Sequence, residues 1–521
     1  MSTAALMILG TASHVGKSLI TAGLGRIFAD EGIRVAPFKA QNMSLNSAAT
    51  PDGGEIGRAQ ALQAEACRVP PSVDMNPVLI KPRSDTSSQV VLLGQVWGQF
   101  SAADYHTNRV EQLFPTVLQS YARLASQYDL ILLEGAGSPA EINLREHDIV
   151  NLRMAHASKA ACILVGDIDR GGVFASLFGT VELLEPADRA LFKGFIINKF
   201  RGDMGLLQPG VEMIERRLGL PCVGVIPYLH DLGLEEEDSV AIENRRTVGR
   251  SWSHTAEDNS PHRPLRVGVI AFPHMSNFTD FDPLAVEPSV ALAFVESGND
   301  AALADVPILP GTKQTLDDLE WLGRNGFIPR IQQHRSKKAH IIGLCGGLQM
   351  LGLKLSDPSG TENDGVPAER DGLGLLSIRT VFNTEKTVRS VAGQLCNASF
   401  ASGVWQASEF QGYEIHMGET YLGEARPFAR ISTVDGAQSF DGAVSPGGLV
   451  FGSYVHGIFD NDLFRHSFLD WARCAVGLAS TQQKTSVTAE RDARMNRWAE
   501  HLRSSLRLDL IQSWIPSRNA A

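Results

Sequence analysis

The feature that most constrains the fold of this 521-residue chain is a series of short apolar runs, most of which end in Gly, Asp or Asn. In the first half these runs are ALMILG, IRVAPFK, QVVLLGQ, YDLILLEG, ACILVGDID, GFIINKF and CVGVIPY. Stretches with helical spacing, such as SLITAGLGRIFADEG and VEQLFPTVLQSYARLASQ, lie between several of them. This alternation predicts a parallel sheet covered on both faces. Ligands bind such sheets at the carboxyl ends of the strands, so polar residues there are candidate site residues.

The chain is predicted to contain two domains of this kind. Near residue 235 the sequence becomes charged and aperiodic, as in a linker, and a second series then begins with LRVGVIAF, VPILPGT, HIIGLCGG and LVFGSYVHGIF. We predict an α/β fold with two doubly wound domains, with a first domain at 1–235, a linker at 236–263, a second domain at 264–475 and a helical extension at 476–521. In that extension RDARMNRWAEHLRSSLRLDLIQSWI is expected to be an amphipathic helix on the second domain, with a partner-binding arm as the alternative.

Charge, the length of the apolar runs and cysteine usage argue against several functional classes. A net charge of -11 without a long basic block argues against nucleic-acid and anionic-membrane partners. No apolar run approaches the roughly 20 residues that span a bilayer, and the apolar N-terminus is expected to be a first strand, not a signal peptide. The six cysteines are scattered without a CxxC pair, which indicates neither disulfides nor zinc and favours a reducing cytoplasm.

A phosphate-binding loop is predicted at GTASHVGKS, which follows the run ALMILG and precedes a helical stretch. In this context backbone N–H groups at a helix N-terminus wrap phosphates. Five residues separate the two glycines, one more than in the common P-loop. Lys17 is expected to reach the β- and γ-phosphates, and the Ser18 hydroxyl to bind Mg²⁺. The predicted ATP-binding residues of the loop are Gly10, Thr11, Gly16, Lys17 and Ser18.

Other polar residues follow later runs. Glu134 ends YDLILLEG beside the predicted loop, where its carboxylate can hold Mg²⁺. Asp167 and Asp169 have a similar position, but a plain strand-end role is equally reasonable. Asn198, at the end of GFIINKF, is a weaker candidate for hydrogen bonding to an adenine edge.

Two polar clusters suit a large polar substrate, although either can be an ordinary solvated loop. The clusters are FKAQNMSLNS, with Lys39, Gln41, Asn42 and Ser44, and SPAEINLREHD, with Glu141, Asn143, Arg145 and Asp148.

The second domain contains a candidate nucleophile in HIIGLCGGLQMLG. Glycines around Cys345 allow a sharp strand-to-helix turn that exposes the side chain, as in a nucleophile elbow. The Gly346 N–H is then placed to bind an oxyanion, with a second donor expected from Gly311 and Thr312 in LPGT. His456, in YVHGIF, is the candidate base. Singly, each can be a packing residue, but together they predict acyl transfer through a thioester.

At these residues the chain resembles known families. The second domain is similar to class I glutamine amidotransferases, and the first resembles the dethiobiotin synthetase-like ATP enzymes, whose loop also has the extra residue. Both domains in this order resemble the cobyric acid synthase family. The matching stretches are PFKAQNMSLNS, EGAGSPAEINL, GDIDRGGVFAS, GLCGGLQMLG, GYEIHMG and YVHGIF.

The resemblance implies a reaction and its substrates. The family uses glutamine, ATP and water to amidate the b, d, e and g carboxylates of adenosylcobyrinic acid a,c-diamide in cobalamin biosynthesis. It implies ATP with Mg²⁺ and no tightly bound prosthetic group. An enzyme that amidates the a and c carboxylates of cobyrinic acid is the nearest rival, and a scaffold ATPase with an inactive amidotransferase module is more remote.

The resemblance also assigns roles. The nucleophile is Cys345, the base is His456, and Lys17, Ser18 and Glu134 serve ATP and Mg²⁺. Asp148 matches an acidic position tied to the amidation site, and Lys39, Gln41 and Asn42 stay candidates for the substrate site because of their polar cluster.

One departure from the family pattern concerns the catalytic His. Many glutaminases of this class carry Glu two residues after it, where this chain has Ile458. The site is therefore expected to work as a Cys–His pair, or with another acid such as Glu414. The oligomeric state, the order of the amidations and the ammonia route stay open.

Overall fold

The computed structural model divides the chain into two compact units. The first comprises Met1–Ser44, Gly54–Glu237 and Arg491–Ala521, and the second comprises Leu45–Gly53 and Asp238–Glu490. The residues described are 3–83, 87–230, 232–234, 260–336, 339–363, 365–396, 399–400, 403–405, 409–481 and 484–515. Most of the predicted linker, 236–263, therefore lies outside the described residues.

The first unit is built on a six-stranded parallel sheet, which confirms the predicted fold class for this half. In spatial order the strands are Cys222–Pro227, Phe192–Phe200, Ala161–Asp167, Ala4–Gly10, Leu130–Glu134 and Val35–Phe38. Alternate residues face opposite sides, so Met7 and Leu9 join one apolar core while Leu6 and Ile8 join another. The longer helices are Lys17–Asp30, Arg58–Ala66, Val110–Gln127, Leu152–Ser158, Val173–Glu182 and Met204–Leu218, and a four-residue helix lies at Pro186–Arg189.

The run QVVLLGQ lies outside this sheet. It belongs to a small mixed sheet made of Gln41–Met43, Val78–Pro82, Ser87–Leu92 and Gln95–Ser101. Leu93 and Gly94, within the run itself, both have positive φ, 47° and 77°, and they form the tight turn of an antiparallel hairpin. A hairpin partner therefore replaces the helical crossover that a parallel neighbour requires.

The C-terminal helices belong to the first unit, so the prediction that they pack on the second domain is wrong. The chain forms the helices Val487–Ser505 and Leu508–Ser513. Trp498, Leu502 and Ile511 join the apolar core behind the helix Lys17–Asp30. Trp498 Nε1 also donates to Leu19 O at 2.6 Å. The amphipathic pattern identified the buried face, but several apolar surfaces accept such a face.

The second unit carries a six-stranded sheet with five parallel strands and one antiparallel edge strand, which again fits the predicted class. Its order is Val290–Val295, Leu265–Ile270, Val306–Leu309, Ile341–Leu344, Val450–Ser453 and Ala443–Val444. The helices are Asp282–Ala285, Gly298–Ala301, Thr315–Arg324, Phe327–Ser336, Gly346–Leu351 and Asp462–Ala475. The parallel strands share one carboxyl end, where the candidate glutaminase residues follow them.

A seven-stranded sheet completes the second unit. It contains Lys354–Asp357, Ala368–Asp371, Ile378–Leu395, Glu409–Leu422, Ala429–Thr433, Gln438–Asp441 and Val455–His456.

Both units also contain shorter elements. Short strands lie at Ser47–Ala49, Glu55–Gly57, Ser399–Phe400 and Gly403–Val404, and short helical turns at Val73–Met75, Ala102–Asp104, Tyr105–Arg109, Arg145–His147, Phe278–Phe281 and Ile458–Asp460. Within the described ranges, no helix has the length and apolar character needed to cross a membrane.

Candidate functional site

Cys345 lies on a strained turn between the strand Ile341–Leu344 and the helix Gly346–Leu351. Its φ and ψ are 49° and -110°, a region that non-glycine residues rarely occupy. The neighbouring glycines are required by space, because a Cβ on Gly347 would lie 2.0 Å from Leu309 O. The geometry is that of a nucleophile elbow. The thiol donates to Ile415 O at 3.5 Å.

His456 is held by an acid that the sequence analysis did not identify. Its Nδ1 lies 2.7 Å from Asp280 Oδ2, and both side chains are almost fully buried. The other oxygen of Asp280 accepts from the Gly457 N–H at 3.0 Å. The bond between Asp280 and His456 Nδ1 fixes the orientation of the imidazole ring and directs Nε2 away from the acid, as in a catalytic triad. Asp280 follows the strand Leu265–Ile270 at the carboxyl edge of the sheet, and that position was its only sequence signal.

The electrostatics of this pair favour a protonated imidazole. Burial alone would lower the pKa of His456, but the charge of Asp280 and its hydrogen bond outweigh burial and, with a contribution from Cys345, raise it to about 10. The buried Nε2 of His456 makes no hydrogen bond with any described residue, because Cys345 lies beside the imidazole without meeting hydrogen-bond geometry. An imidazolium beside Cys345 stabilises a thiolate there.

Glu414, the alternative acid, takes no part in holding His456. Its carboxylate accepts from Arg389 Nε at 2.5 Å, and it lies 3.6 Å from His416 Nε2. Both earlier expectations, an unsupported Cys–His pair and a pair supported by Glu414, are replaced by an Asp280–His456 arrangement beside Cys345.

The predicted oxyanion donors come together at the same edge of the sheet. A Cβ on Gly346 would lie 3.2 Å from Thr312 N, and a Cβ on Gly311 would lie 3.2 Å from His456 Cε1. The Thr312 hydroxyl donates to the buried carboxylate of Asp318, which fixes this turn. The two glycine turns therefore meet beside the Cys and His.

The P-loop surrounds the ammonium group of Lys17. Gly16 adopts a left-handed conformation with φ of 101° just before the helix Lys17–Asp30. Lys17 Nζ donates to Ala12 O at 2.9 Å and to Gly137 O at 3.1 Å. Thr11 was predicted to be an ATP-binding residue of the loop. Its backbone N–H instead donates to Val165 O at 2.9 Å and is not directed into the loop. Lys17 is thus positioned by backbone carbonyls.

Glu134 links the P-loop helix to the predicted substrate cluster. Its carboxylate accepts from Ser18 Oγ at 2.8 Å, from Lys39 Nζ at 2.9 Å and from Gln63 Nε2 at 2.5 Å. Glu134 is 1% exposed, so Lys39 offsets a charge that would otherwise be buried unpaired. A hydroxyl next to a carboxylate is the hard oxygen donor set that Mg²⁺ prefers, so these residues fit Mg²⁺ as part of an ATP complex.

Asn198 lies behind the loop. Its Nδ2 donates to Val15 O at 2.8 Å, and a Cβ on Gly16 would lie 2.3 Å from that nitrogen. Lys199 adds a second support by donating to His14 O at 2.8 Å and to Asp167 Oδ2 at 2.9 Å. These contacts brace the loop, and recognition of adenine by Asn198 stays a prediction.

A cavity of about 300 Å³ in the first unit brings the two polar clusters together. Gln41 and Asp148 line it, and so do Gly137, Ser138 and Arg145. Asp148 accepts backbone N–H bonds from Val150, Asn151 and Leu152 at 2.8, 2.9 and 3.1 Å, while burial raises its pKa. Asn42 instead donates to Gln60 Oε1 at 2.9 Å within the buried interior.

Comparison with known proteins places both halves in described families. Residues 6–240 match the CobQ/CobB/MinD/ParA nucleotide binding domain, and residues 266–464 match the CobB/CobQ-like glutamine amidotransferase domain. The chain is 44% identical over 517 residues to the cobyric acid synthase of Pelotomaculum thermopropionicum, covering 97% of this chain and 95% of that protein. It is 46% identical over 521 residues to the cobyric acid synthase of Sorangium cellulosum, covering 97% of each.

Proposed function

The chain belongs to the cobyric acid synthase family, and we propose that it amidates the b, d, e and g carboxylates of adenosylcobyrinic acid a,c-diamide. It is a glutamine-hydrolysing amidoligase of cobalamin biosynthesis. The observation that carries the proposal is the identity to these synthases across nearly the whole chain, which includes both candidate sites. For each amide the enzyme converts one carboxylate, glutamine, ATP and water into one amide, glutamate, ADP and phosphate.

Ammonia is made in the second unit. The Cys345 thiolate attacks the glutamine carboxamide, and N–H groups at Gly346 and Gly311 stabilise the oxyanion. The His456 imidazolium gives its proton to the departing nitrogen and then takes a proton from water, which hydrolyses the thioester to glutamate. Asp280 holds the imidazole in the required tautomer throughout. The strained Cys345 turn keeps the sulfur at the carboxyl edge of the sheet.

The first unit activates the acceptor. A carboxylate is inert to amines at neutral pH, so it must first become an acyl phosphate by transfer of the γ-phosphoryl group of ATP. Lys17 and the loop backbone bind the phosphates, while Ser18 and Glu134 would hold Mg²⁺, which neutralises phosphate charge when bound. Ammonia then attacks the acyl carbon, and inorganic phosphate leaves. We assign the ATP cofactor role to this loop on the support of the nucleotide-binding family match.

The cavity lined by Gln41 and Asp148 is our candidate acceptor site. It adjoins Gly137, whose carbonyl accepts from Lys17, so an acceptor carboxylate there lies near the phosphate loop. Lys39 belongs to the nucleotide side of this site, because it pairs with Glu134. We further infer that the enzyme works in a reducing cytoplasm, which keeps Cys345 and the other five cysteines as free thiols.

The proposal is tested by mass spectrometry of products from the purified full-length protein. With ATP, Mg²⁺, glutamine and adenosylcobyrinic acid a,c-diamide, we expect four successive replacements of a carboxyl OH by NH₂. Product formation should require ATP and release one glutamate per amide. Amidation of cobyrinic acid at two positions, with no reaction on the diamide, would overturn the assignment in favour of the a,c-amidating enzyme.

A further inference from the structure

A short segment from within the first domain's sequence belongs structurally to the glutaminase. Leu45–Gly53 is part of the second unit, whereas the residues on both sides of it belong to the first. The segment continues directly from Gln41 and Met43, which line the acceptor cavity. Its first residues, Leu45 and Asn46, end the polar cluster FKAQNMSLNS, but the function proposed so far gives no role to the contacts of this segment in the second unit.

Ser47 is the central residue of these contacts and is 1% exposed. Its backbone N–H donates to Asn277 Oδ1 at 3.0 Å, and its backbone carbonyl accepts from the Tyr413 hydroxyl at 3.1 Å. Both partners belong to the second unit. One residue of the segment is therefore bonded to two separate elements of the glutaminase.

Asn277 begins the turn that carries the acid of the glutaminase. It adopts a left-handed conformation with φ of 52° directly before the helical turn Phe278–Phe281. Its carbonyl accepts from the Asp280 N–H at 3.0 Å. A bond to the Asn277 side chain thus restrains the turn from which Asp280 reaches His456.

Tyr413 touches the other member of the pair. It is the cross-strand neighbour of His456, and the two rings stack with centroids 5.5 Å apart and an interplanar angle of 25°. Its hydroxyl bond to Ser47 restrains the ring that lies against the imidazole. Ser47 consequently fixes the acid on one side and the imidazole on the other.

The rest of the segment is attached to the same unit. Ser390 Oγ donates to Thr50 O at 3.3 Å, and a Cβ on Gly53 would lie 3.4 Å from Val388 O. Both Ser390 and Val388 lie in the strand Ile378–Leu395, which pairs with the strand that carries Tyr413. The position of Ser47 is thus set by further contacts along the segment.

We propose that Ser47 is a positioning residue of the glutaminase, acting through Asn277 on Asp280 and through Tyr413 on His456. The inference rests on the proposed function, since it concerns the same Cys345-dependent hydrolysis. Its consequence is that glutamine hydrolysis requires a segment encoded inside the ATP domain.

Two single substitutions in the full-length protein test this role. Tyr413→Phe keeps the stacked ring and removes only the hydroxyl donor, while Asn277→Gly keeps the left-handed backbone and removes the acceptor. Each is expected to lower kcat for glutamate release about 3- to 10-fold, the effect of one lost hydrogen bond, with little change in KM for glutamine. Because both act through one residue, the double variant should lose less than the product of the two factors.

Controls separate this inference from general damage. Tyr421→Phe removes an exposed hydroxyl from the same strand and should leave glutamate release unchanged. Asn277→Asp keeps an acceptor for Ser47 and should restore most of the rate lost in Asn277→Gly. Amidation driven by added ammonium should be unchanged in all four single variants.

Three results would overturn the inference. They are wild-type kcat in both test variants, losses that multiply in the double variant, or an equal fall of the ammonium-driven reaction. A wild-type protein without glutaminase activity would instead refute the proposed function itself.

Discussion

The imidazole of His456 has two nitrogens with different tasks, and the residues around it determine which is free to react. Asp280 occupies Nδ1, so only Nε2 can exchange a proton with the leaving nitrogen or with water. Cys345, on its strained backbone turn, lies close enough to this imidazole to contribute to its pKa. Cys345 and His456 lie in the second unit, whereas the P-loop lies in the first. Glutamine hydrolysis should therefore be separable from the ligase reaction.

Replacing the nucleophile should remove one nitrogen source and spare the other. Cys345→Ala is expected to abolish glutamine-dependent amidation, because no thioester can form, while amidation with ammonium continues at the wild-type rate. The measurement is amide formation by mass spectrometry with each nitrogen donor. Cys396→Ala, which removes an exposed free thiol, is the matched control and should keep both activities. Failure of ammonium to rescue Cys345→Ala would contradict the division of labour between the two units.

Removing the charge of Asp280 should slow glutaminase turnover more than it weakens glutamine binding. In Asp280→Asn the side chain keeps its shape, but the imidazolium loses its partner and the tautomer changes. We expect kcat for glutamate release to fall by about 10²- to 10⁴-fold with a smaller change in KM. The ammonium-driven reaction is the internal control. A variant with near wild-type kcat would show that Asp280 does not orient the base.

The same pair predicts a pH dependence of stability. Because folding raises the pKa of His456 from 6.5 to about 10, the pair stabilises the fold fully below pH 6.5 and loses this contribution as pH rises through 10. The difference in denaturation midpoint between wild type and Asp280→Asn should therefore be largest near pH 6 and shrink towards pH 10. Denaturant titrations at several pH values measure it. A difference that grows with pH would have the wrong sign.

The sequence predicted the residues that follow recognisable strands but not the one that lies deep in a loop. Cys345 and His456 stood out because glycines and an apolar run flank each of them. Asp280 lies in HMSNFTDFD, ten residues after its strand, beside another acid and without a motif. Which of the two acids reaches His456 depends on the turn Phe278–Phe281, and one sequence cannot specify that turn.

At the scale of elements, an apolar run was correctly predicted to be a strand of the parallel sheet only where a long connection with a helix separated it from its neighbours. Six runs joined by helices formed the predicted parallel sheet. QVVLLGQ had the same composition, but the Leu93–Gly94 turn paired it into a hairpin. The P-loop was predictable because its glycines, its lysine and its flanking strand and helix are contiguous. Its supports, Asn198 and Lys199, come from a distant strand and carried only a weak signal.

The P-loop lysine should be needed with either nitrogen donor. Lys17→Ala removes the ammonium group held by Ala12 O and Gly137 O, so we expect loss of amidation with glutamine and with ammonium alike. Glutamate release should continue, because the glutaminase residues lie in the other unit. Lys193→Ala, at an exposed position of the strand Phe192–Phe200, is the control and should leave both reactions unchanged. Ammonium-dependent turnover in Lys17→Ala would refute the assigned role of the loop.

At the scale of the whole molecule, domains in sequence and units in space differ in two places. Leu45–Gly53 leaves the first domain's sequence for the second unit, and Arg491–Ala521 returns from the end of the chain to the first. Composition located the change near residue 235, but it contains no information about these exchanges. They depend on which apolar or polar surface happens to be complementary. Each unit therefore relies on residues far away in the sequence.

The return of the C-terminal helix predicts which unit a mutation there weakens. Leu502 is fully buried in the core that includes Ile8 and Leu24, so Leu502→Ala should cost about 2–5 kcal/mol in that unit. Hydrogen exchange should then accelerate in Ala4–Gly10 and Lys17–Asp30, while Ile341–Leu344 keeps its protection. Leu206→Ala, at a leucine that is 84% exposed in the same unit, is the control and should cost about 0.5 kcal/mol or less. Faster exchange confined to the strands around Cys345 would mean that the helix stabilises the glutaminase instead. We expect faster exchange in the first unit instead, because the apolar face of the C-terminal helix packs behind the P-loop helix Lys17–Asp30.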